Sequence, residues 1–392
     1  MTQKSKSLLF PMLLVIYEIA TYLSNDMYLP AVPEMMRDLK LSTAQVQLTL
    51  TLWFMGLASM PLVIGVISDR FGRRAVLLLG GVFYILSTML CALTYNYSIL
   101  LAARFIEGSM VATMMVAGYA CIHELYEHKD AVRILALMGS ISILAPALGP
   151  LLGSVVLYVT TWRGIFWLIV IWSIISILTL TKWMPETHPS EKREKINIKQ
   201  LFTHYWQVLT NKKFMLQMMI LGFIFTGFIV WITSGPLLII ESFQQSAIRF
   251  GLIQAGIFSA YILGSHGVNH LVEKIEINRL INIGLIITLM GGIFLFAFSY
   301  IFPQNLTLFL IAMAVYSFGA ALCFAPLNRM IIEASDAPMG VRVALFTVFF
   351  TAYGALGSAL ASLFFDGTTF SIGILIAISI LFSCFLKRVN KN

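Results

Sequence analysis

The sequence predicts an all-α integral membrane protein with 12 transmembrane helices, arranged as two pseudo-symmetric halves of six. Its composition is the first observation in favour, because 59% of the 392 residues are hydrophobic and only 11% are charged. Soluble domains carry about 25% charged residues. A water-soluble chain of this composition would expose large apolar patches, so we expect the surrounding solvent to be lipid.

The second observation is the spacing of the apolar runs. A helix needs about 20 mostly apolar residues to cross a bilayer, and 12 such runs divide the chain. They cover residues 8–30, 44–68, 75–95, 98–122, 134–159, 162–183, 213–240, 248–271, 278–300, 305–328, 341–365 and 368–386. The first run has no small-residue cleavage site after it, which predicts an uncleaved first span.

The third observation is the distribution of basic residues between the loops. If both chain ends lie in the cytoplasm, the cytoplasmic segments hold 21 of the 26 Lys and Arg residues. The positive-inside rule therefore predicts a multi-pass protein of the inner (cytoplasmic) membrane with both termini cytoplasmic. This distribution also explains the net charge of +8. Nucleic acid is not an expected partner, because the sequence has no basic face lined by base-stacking groups.

A polar segment near the middle divides the chain. It covers residues 184–212, includes the charge run PETHPSEKREKINIKQ, and is typical of a solvated linker. An interfacial helix is expected within it, over residues 198–210. The predicted units are an N-terminal six-helix half over 1–183, this cytoplasmic linker, and a C-terminal six-helix half over 213–392.

A weak internal repeat supports the two halves. An acidic–basic dipeptide follows the second span at 69–70 and the eighth span at 273–274, which is 204 residues later. Small-residue segments at 147–153 and 353–362 recur in the fifth and eleventh spans at a similar interval. Two parallel halves related by an axis along the membrane normal are a known transporter arrangement.

The first span contains VIYEIATYLSNDMYLP, with carboxylates where they are costly. On a helix, Glu18 and Asp26 lie about 12 Å apart along the axis and about 80° apart around it. Thr21, Tyr22 and Asn25 complete one polar stripe. We expect the stripe to face a cavity, because both acids would lack partners in lipid. A buried carboxyl group can hold a proton or a cation, and this competition is the physical basis of antiport.

The fourth span contains a second ionisable pair, in AARFIEGSMVA. Arg104 and Glu107 are three residues apart and share a helix face. A lone arginine at a helix centre costs about 2.5–3.5 kcal/mol on insertion scales, which pairing with Glu107 or with an acid on another span would offset. The residues leave two roles open for Arg104, a structural ion pair or an element of proton coupling.

The loop after the second span reads GVISDRFGRR. We expect Gly65 to let two helices approach closely and Gly72 to permit a tight turn. Asp69 is expected to cap the next helix or to pair with a basic residue on a neighbouring span in one conformation, and breaking that contact would shift the balance between outward-open and inward-open states. The residues of this predicted conformational-switch loop are Gly65, Asp69, Arg70, Gly72, Arg73 and Arg74.

The fifth span contains ALMGSISILAPALGPLLG. Its small residues permit close helix packing, and its prolines are expected to kink or loosen the helix. The residues that define this segment are Gly139, Ala145, Pro146, Gly149, Pro150 and Gly153.

These motifs resemble the major facilitator superfamily, in its branch of twelve-helix drug/proton antiporters. GVISDRFGRR resembles the loop signature of the superfamily, and R-F-x-x-G at 104–108 and A-P-x-L-G-P at 145–150 resemble motifs of its drug exporters. The string Y-E-x-x-T-Y-x-x-N-D resembles the first helix of MdfA-type multidrug/proton antiporters. In the second half, the clearest similar segment is SGPLLIIESFQQS at 234–246. The resemblance implies a major facilitator fold.

The resemblance also implies roles for residues of the first half. Glu18 and Asp26 would be the membrane-embedded acids that bind proton and drug. Arg104 would be associated with proton transfer, although Glu107 stands where the family often has a neutral residue. The candidates for lining the pocket are Tyr22, Asn25 and, from its position on the seventh span, Trp231.

The expected function is multidrug efflux, in which a monomer exchanges lipophilic cationic or neutral compounds for protons by alternating access. Two alternatives stay open: export of a specific metabolite or siderophore on the same scaffold, and a membrane sensor or scaffold that transports nothing. No metal or cofactor is expected, because the cysteines lack metal-ligand spacing and the sequence lacks a phosphate-binding loop. The prediction is therefore a secondary active transporter and not an enzyme.

Overall fold

The computed structural model describes residues 9–189 and 198–389, which form a bundle of helices. The α-helices are α1 (Leu9–Asp26), α2 (Val32–Asp38), α3 (Thr43–Ser59), α4 (Pro61–Phe71), α5 (Arg73–Leu93), α6 (Tyr97–Thr113), α7 (Tyr119–Leu125), α8 (His128–Val159), α9 (Trp162–Trp183), α10 (Ile198–Leu209), α11 (Lys212–Pro236), α12 (Ala247–Leu271), α13 (Ile277–Ile301), α14 (Leu306–Ile332), α15 (Met339–Phe364) and α16 (Thr369–Val389). Two π-helical turns, Met114–Gly118 and Leu237–Ser242, continue α6 and α11.

Most of these helices are suited to cross a membrane. Within the described residues, 10 helical segments are long and apolar enough, or 11 if α3 and α4, which meet at an angle of 46°, form one span. The break falls directly before Pro61, which cannot continue the hydrogen bonding of the preceding helix. Helix α1 is not among these segments, because it carries the polar stripe. It packs against α8 and α9 within the bundle, and counting it as a span gives the predicted 12.

Helix packing repeats along the chain. In the first part, α1 packs on α8 and α9, and α5 packs on α6 and α9. In the second part, α11 packs on α15 and α16, and α13 packs on α14 and α16. We call α1–α9 the first half and α11–α16 the second half. The main contacts between the halves join α3 to α15 and α8 to α12.

Neutral polar contacts join the halves where α1 ends and α3 begins, which we call the closed end. Thr51 Oγ1 lies 2.8 Å from Ser358 Oγ. Ser362 Oγ donates to the carbonyl oxygen of Ala44 at 2.8 Å. A partly exposed ion pair also crosses between the halves at this end, where Arg37 NH1 lies 3.7 Å from Glu241 Oε1. The opposite end, where α1 begins and α16 ends, is the terminal end.

Two glycines allow close contact between α3 and α6. A Cβ atom at Gly56 would overlap the carbonyl group of Phe105, and one at Gly108 would overlap the carbonyl group of Trp53. Gly65, in contrast, has no such neighbour within 4 Å of an added Cβ. The expectation that Gly65 lets two helices approach is therefore wrong, and Gly56 of the second span and Gly108 of the fourth span have this role instead.

The segment between the halves is described in part. Residues 190–197 of the predicted linker lie outside the described residues. Helix α10 occupies most of the segment for which an interfacial helix is expected, and it packs against α11 and α15. Phe202 and Trp206, one turn apart, are exposed on it. The domain boundaries and the interfacial position of α10 stay predictions.

The glycine contacts yield a stability prediction. We expect Gly108→Val to lower the free energy of unfolding by about 1–3 kcal/mol or more, because the added side chain would push α6 away from α3. Gly65→Val is the matched control and should change stability little. Thermal unfolding of both variants in detergent measures the difference, and equal melting temperatures would contradict the assignment.

Candidate functional site

A cavity of about 460 Å³ lies between the two halves. It is lined by Asp26, at the closed end of α1, and by Asn328, near the terminal end of α14. On α3, the closed-end residues Ala44 and Thr51 precede the lining residues Trp53 and Phe54, so the closed-end contacts separate the cavity from one side of the membrane. Pockets of about 300–1,000 Å³ accommodate drug-sized molecules.

The first half supplies a wall of mixed polarity. Among the lining residues that the structure describes, Asp26 is the only acid of this half, and none is basic. The residues of this wall are Tyr22, Asn25, Asp26, Trp53, Phe54, Leu57, Met115, Tyr119, Gly139, Ile143 and Pro146.

The second half supplies a mostly apolar wall that carries six phenylalanines and, among the described lining residues, no Asp, Glu, Lys or Arg. Its polar members are two threonines, one asparagine and one tyrosine. The residues of this wall are Phe225, Phe228, Ile229, Ile232, Phe258, Tyr261, Phe324, Asn328, Phe346, Thr347, Phe350 and Thr351. The sequence offers no signal for this set, because other phenylalanines on the same helices, such as Phe214, Phe250 and Phe309, are buried away from the cavity.

Asp26 faces the cavity, as expected for the polar stripe of the first span. It lines the cavity with 4% of its surface exposed, and its carboxyl group is hydrogen-bonded by the side chain of Asn25. Behind it, Gly149 of α8 leaves room for Asp26, whose Cβ atom would overlap a Cβ at that position. Gly149, from the motif in the fifth span, therefore leaves the space that the Asp26 side chain of the first span occupies.

Glu18 differs from the expectation, because it does not itself line the cavity. It is fully buried behind the wall. The hydroxyl group of Tyr119 donates to Glu18 Oε1 at 2.7 Å, and Tyr119 does line the cavity. Glu18 Oε2 has no hydrogen-bond partner among the described residues. Sequence reasoning missed Tyr119, which lies 101 residues away and becomes a neighbour only when α7 packs near α1.

Arg104 is paired within its own helix. Its NH1 atom lies 2.5 Å from Glu107 Oε2, and the second carboxylate oxygen of Glu107 accepts from Thr88 Oγ1 at 3.0 Å. Arg104 NH2 also donates to Asn25 Oδ1 at 3.2 Å. Both charged groups are fully buried. This geometry supports a structural ion pair, and Asn25 connects it to the wall of the cavity.

Trp231 is not part of the cavity wall, contrary to the expectation. It is fully buried within the second half, where its Nε1 donates to Gln254 Oε1 at 2.8 Å. Phe225 and Phe228, on the same helix, line the cavity in its place. Tyr22 and Asn25, the other predicted lining residues, are both in the wall.

The glycine-rich loop forms a tight turn between α4 and α5. Gly72 has a φ of 97°, a conformation that favours glycine. Asp69 Oδ1 lies 2.5 Å from the NH1 atom of Arg73, the first residue of α5. Arg70 lies 5.5 Å from the centre of the Phe71 ring. Asp69 is thus paired with a basic residue of its own loop in this structure.

Two glutamates that the sequence did not single out hold this loop to the first half. Glu124 Oε1 lies 3.1 Å from Arg73 NH2. The carboxylate of Glu186 accepts from the backbone N–H of Arg73 at 3.0 Å and from that of Arg74 at 3.3 Å. A carboxylate at this position is favourable, because the N-terminus of a helix carries partial positive charge.

The proline-containing motif lies in an uninterrupted helix. Pro146 and Pro150 are both inside α8, and Pro146 lines the cavity. A Cβ atom at Gly153 would overlap the carbonyl group of Met27, so α8 packs directly on the backbone that follows α1. In residues 9–189 and 198–389, no three His, Cys, Asp or Glu side chains are grouped as a metal site requires.

Comparison with known proteins agrees with this architecture. The family model described as Major Facilitator Superfamily matches residues 14–362. The chain belongs to the major facilitator superfamily. It is therefore a multi-pass membrane transporter for small molecules and not an enzyme.

Similar proteins include two transporters of known name. The chain is 32% identical over 336 residues to "Multidrug transporter MdfA" of Yersinia pestis bv. Antiqua (strain Angola), covering 86% of this chain and 82% of the relative. It is 33% identical over 336 residues to "Multidrug transporter MdfA" of Escherichia coli O6:H1, with the same coverage of both chains.

Solved structures show the same fold at low sequence identity. The xylose transporter XylE from E. coli, in a partially occluded inward-open conformation, matches with a TM-score of 0.75 at 16% identity, covering 97% of this chain and 96% of that chain. A bacterial homolog of the human lysosomal transporter Spinster, inward-facing and unoccupied, matches with a TM-score of 0.75 at 15% identity, covering 98% and 96%. The prediction of a major facilitator fold is confirmed.

The buried ion pair yields a prediction for stability. We expect Glu107→Gln to destabilise the protein by about 3–5 kcal/mol, because it leaves the charge of Arg104 buried without a counter-charge. The double variant Arg104→Gln/Glu107→Gln removes both charges and should recover much of that loss. Thermal unfolding in detergent measures both, and a double variant less stable than Glu107→Gln would refute a structural pair.

Proposed function

We propose that this transporter exports lipophilic cationic or neutral compounds in exchange for protons by alternating access, which is multidrug efflux. The observation that carries the proposal is Asp26, the only acid in the described wall of a central cavity whose opposite wall is apolar and aromatic. The relatives named multidrug transporters support the same function.

Asp26 is the proposed contact for cargo. Its carboxylate attracts a positive charge, and the side chain of Asn25 beside it offers hydrogen bonds to a neutral cargo. The apolar wall of the second half removes the rest of the molecule from water, which favours binding by about 25 cal/mol for each Å² of apolar surface. The apolar wall thus favours lipophilic cargo, and the carboxylate of Asp26 favours cargo that carries a positive charge.

Glu18 is the proposed proton carrier. An ionised carboxylate in apolar surroundings is costly unless a cation or several donors compensate it. Glu18 has one donor, Tyr119, and one oxygen without a partner among the described residues, whereas Arg104 is already engaged by Glu107. Protonation of Glu18 relieves this cost. Because Tyr119 also lines the cavity, it connects the proton site to the cargo site.

Exchange follows from competition at these two acids. In the conformation described, the closed-end contacts separate the cavity from one side, and cargo enters from the other while a proton leaves. When the halves rock and the closed-end contacts part, protons from the opposite side neutralise the acids and release the cargo. Cargo binding therefore requires loss of a proton, and cargo release requires that a proton binds again.

The proposed location is the inner membrane with both termini in the cytoplasm, so that the terminal end is the cytoplasmic end. Single cysteines at Lys274 and Gln304, in loops at opposite ends of the bundle, test this in a variant without native cysteines. In intact cells, an impermeant maleimide should label Gln304→Cys and leave Lys274→Cys unlabelled until the membrane is opened. The reverse pattern would invert the proposed direction.

Proton exchange is tested with the two acids of α1. Addition of a lipophilic cation such as tetraphenylphosphonium to purified protein should release protons, detected with a pH-sensitive dye. Glu18→Gln with Asp26→Asn should abolish this release, because neither neutral side chain can give up a proton. Glu276→Gln, an exposed acid at the start of α13, is the matched control and should release protons as the wild type does.

The same assay separates the alternatives. Proton release by the double variant at the wild-type level would refute the assignment of the acids. A response to one polar metabolite and to no lipophilic cation would favour the metabolite exporter. Absence of flux for every compound in proteoliposomes with an imposed pH gradient would favour a sensor or scaffold.

A further inference from the structure

We propose that a cluster of four phenylalanines in the second half selects cargo that carries a planar aromatic ring, and that Phe350 is its main specificity-determining residue. We call Phe225, Phe324, Phe346 and Phe350 the aromatic cluster. The inference rests on the proposed function and narrows its substrate class to compounds that combine an aromatic plane with a cationic nitrogen.

The cluster is organised around Phe350. The ring centre of Phe350 lies 3.9 Å from that of Phe225, 5.4 Å from that of Phe324 and 5.6 Å from that of Phe346. The planes of Phe350 and Phe225 differ by 23°, and those of Phe350 and Phe346 by only 10°. Three rings are therefore nearly parallel, and the fourth meets Phe350 edge to face.

The cluster is accessible to cargo. All four rings line the cavity, and each is only partly buried, whereas Phe228 and Phe258 in the same wall are buried. Helices α11, α14 and α15 each contribute to it, so the rings come together only in the folded second half. Phe350 and Phe225 cover one face of each other, so a flat ligand would pack on the remaining outer faces of the cluster, which suit it better than a branched aliphatic one.

The charges around the cavity set the orientation of such a ligand. The cluster belongs to the wall without ionisable Asp, Glu, Lys or Arg side chains, and Asp26 belongs to the facing wall. A cationic nitrogen is drawn to Asp26, which leaves the aromatic part of the molecule toward the cluster. The negative faces of the rings also tolerate positive charge that is delocalised over an aromatic cation.

The size of the expected effect follows from aromatic pairing. An offset-stacked or edge-to-face contact contributes beyond its buried area, and loss of one such contact corresponds to a change of about 3- to 10-fold in affinity. A leucine at position 350 keeps apolar area but removes the ring. The effect should therefore appear in the ratio between aromatic and aliphatic cargo, and not in transport as a whole.

The test compares two permanent monocations, N-methylacridinium and tetrapropylammonium, in proteoliposomes with an imposed pH gradient. We expect Phe350→Leu to raise the KM for N-methylacridinium by about 3- to 10-fold and to change that for tetrapropylammonium less than about 2-fold. Phe350→Tyr keeps the ring and should restore the wild-type ratio. Phe382→Leu, which removes an aromatic ring on an exposed face of α16, is the matched control and should leave the ratio unchanged.

A second variant provides the same comparison if Phe350→Leu fails to fold. If Phe350→Leu is not monodisperse in detergent, Phe346→Leu on the same helix face should shift the ratio in the same direction. Equal changes for both cations, or no change in either variant, would overturn the role of the cluster while leaving export itself intact. A wild-type protein that transports neither cation would overturn the proposed function and this inference together.

Discussion

Each charge inside this bundle needs a partner or a cavity, because hydrocarbon supplies neither water nor counter-charge. Arg104 and Glu107 meet this requirement by pairing with each other. Asp26 meets it at the cavity wall. Glu18 is buried with one donor, Tyr119, and its remaining oxygen has no partner among the described residues. Two acids on one stripe thus have different surroundings, and the proposed division between cargo and proton depends on that difference.

The two halves share their helix packing but not their chemistry. The buried acids Glu18, Asp26 and Glu107 all belong to the first half. The cavity wall of the second half is dominated by phenylalanines and aliphatic residues. A repeated scaffold therefore supports an ionisable wall on one side and an apolar wall on the other. In the proposed alternating-access cycle, a ligand that contacts both walls lies between the two halves that move relative to one another.

Hydrogen bonds between neutral groups and one partly exposed ion pair, Arg37 with Glu241, join the halves at the closed end, whereas the charged contacts of Arg73 at the terminal end stay within the first half. Thr51 and Ser358 bond across the halves without charge. Arg73 is held by Asp69, Glu124 and Glu186, all within the first half. The loop between α4 and α5 is therefore anchored to the first half, while α4 also packs against α15 of the second half.

Periodicity and composition by themselves determined the membrane class, the helical runs and the position of the polar stripe, because about 20 apolar residues and a 3.6-residue repeat are local properties. Only the tertiary structure decided which acid reaches the cavity. Glu18 is bonded to Tyr119 and Asp26 packs against Gly149, and each of these neighbours lies more than 100 residues away in the sequence. In the tertiary structure, Trp231 also lies outside the cavity wall, and four phenylalanines from three helices come together in that wall. Such neighbours depend on how helices rotate against one another, and no local pattern in the sequence encodes that rotation.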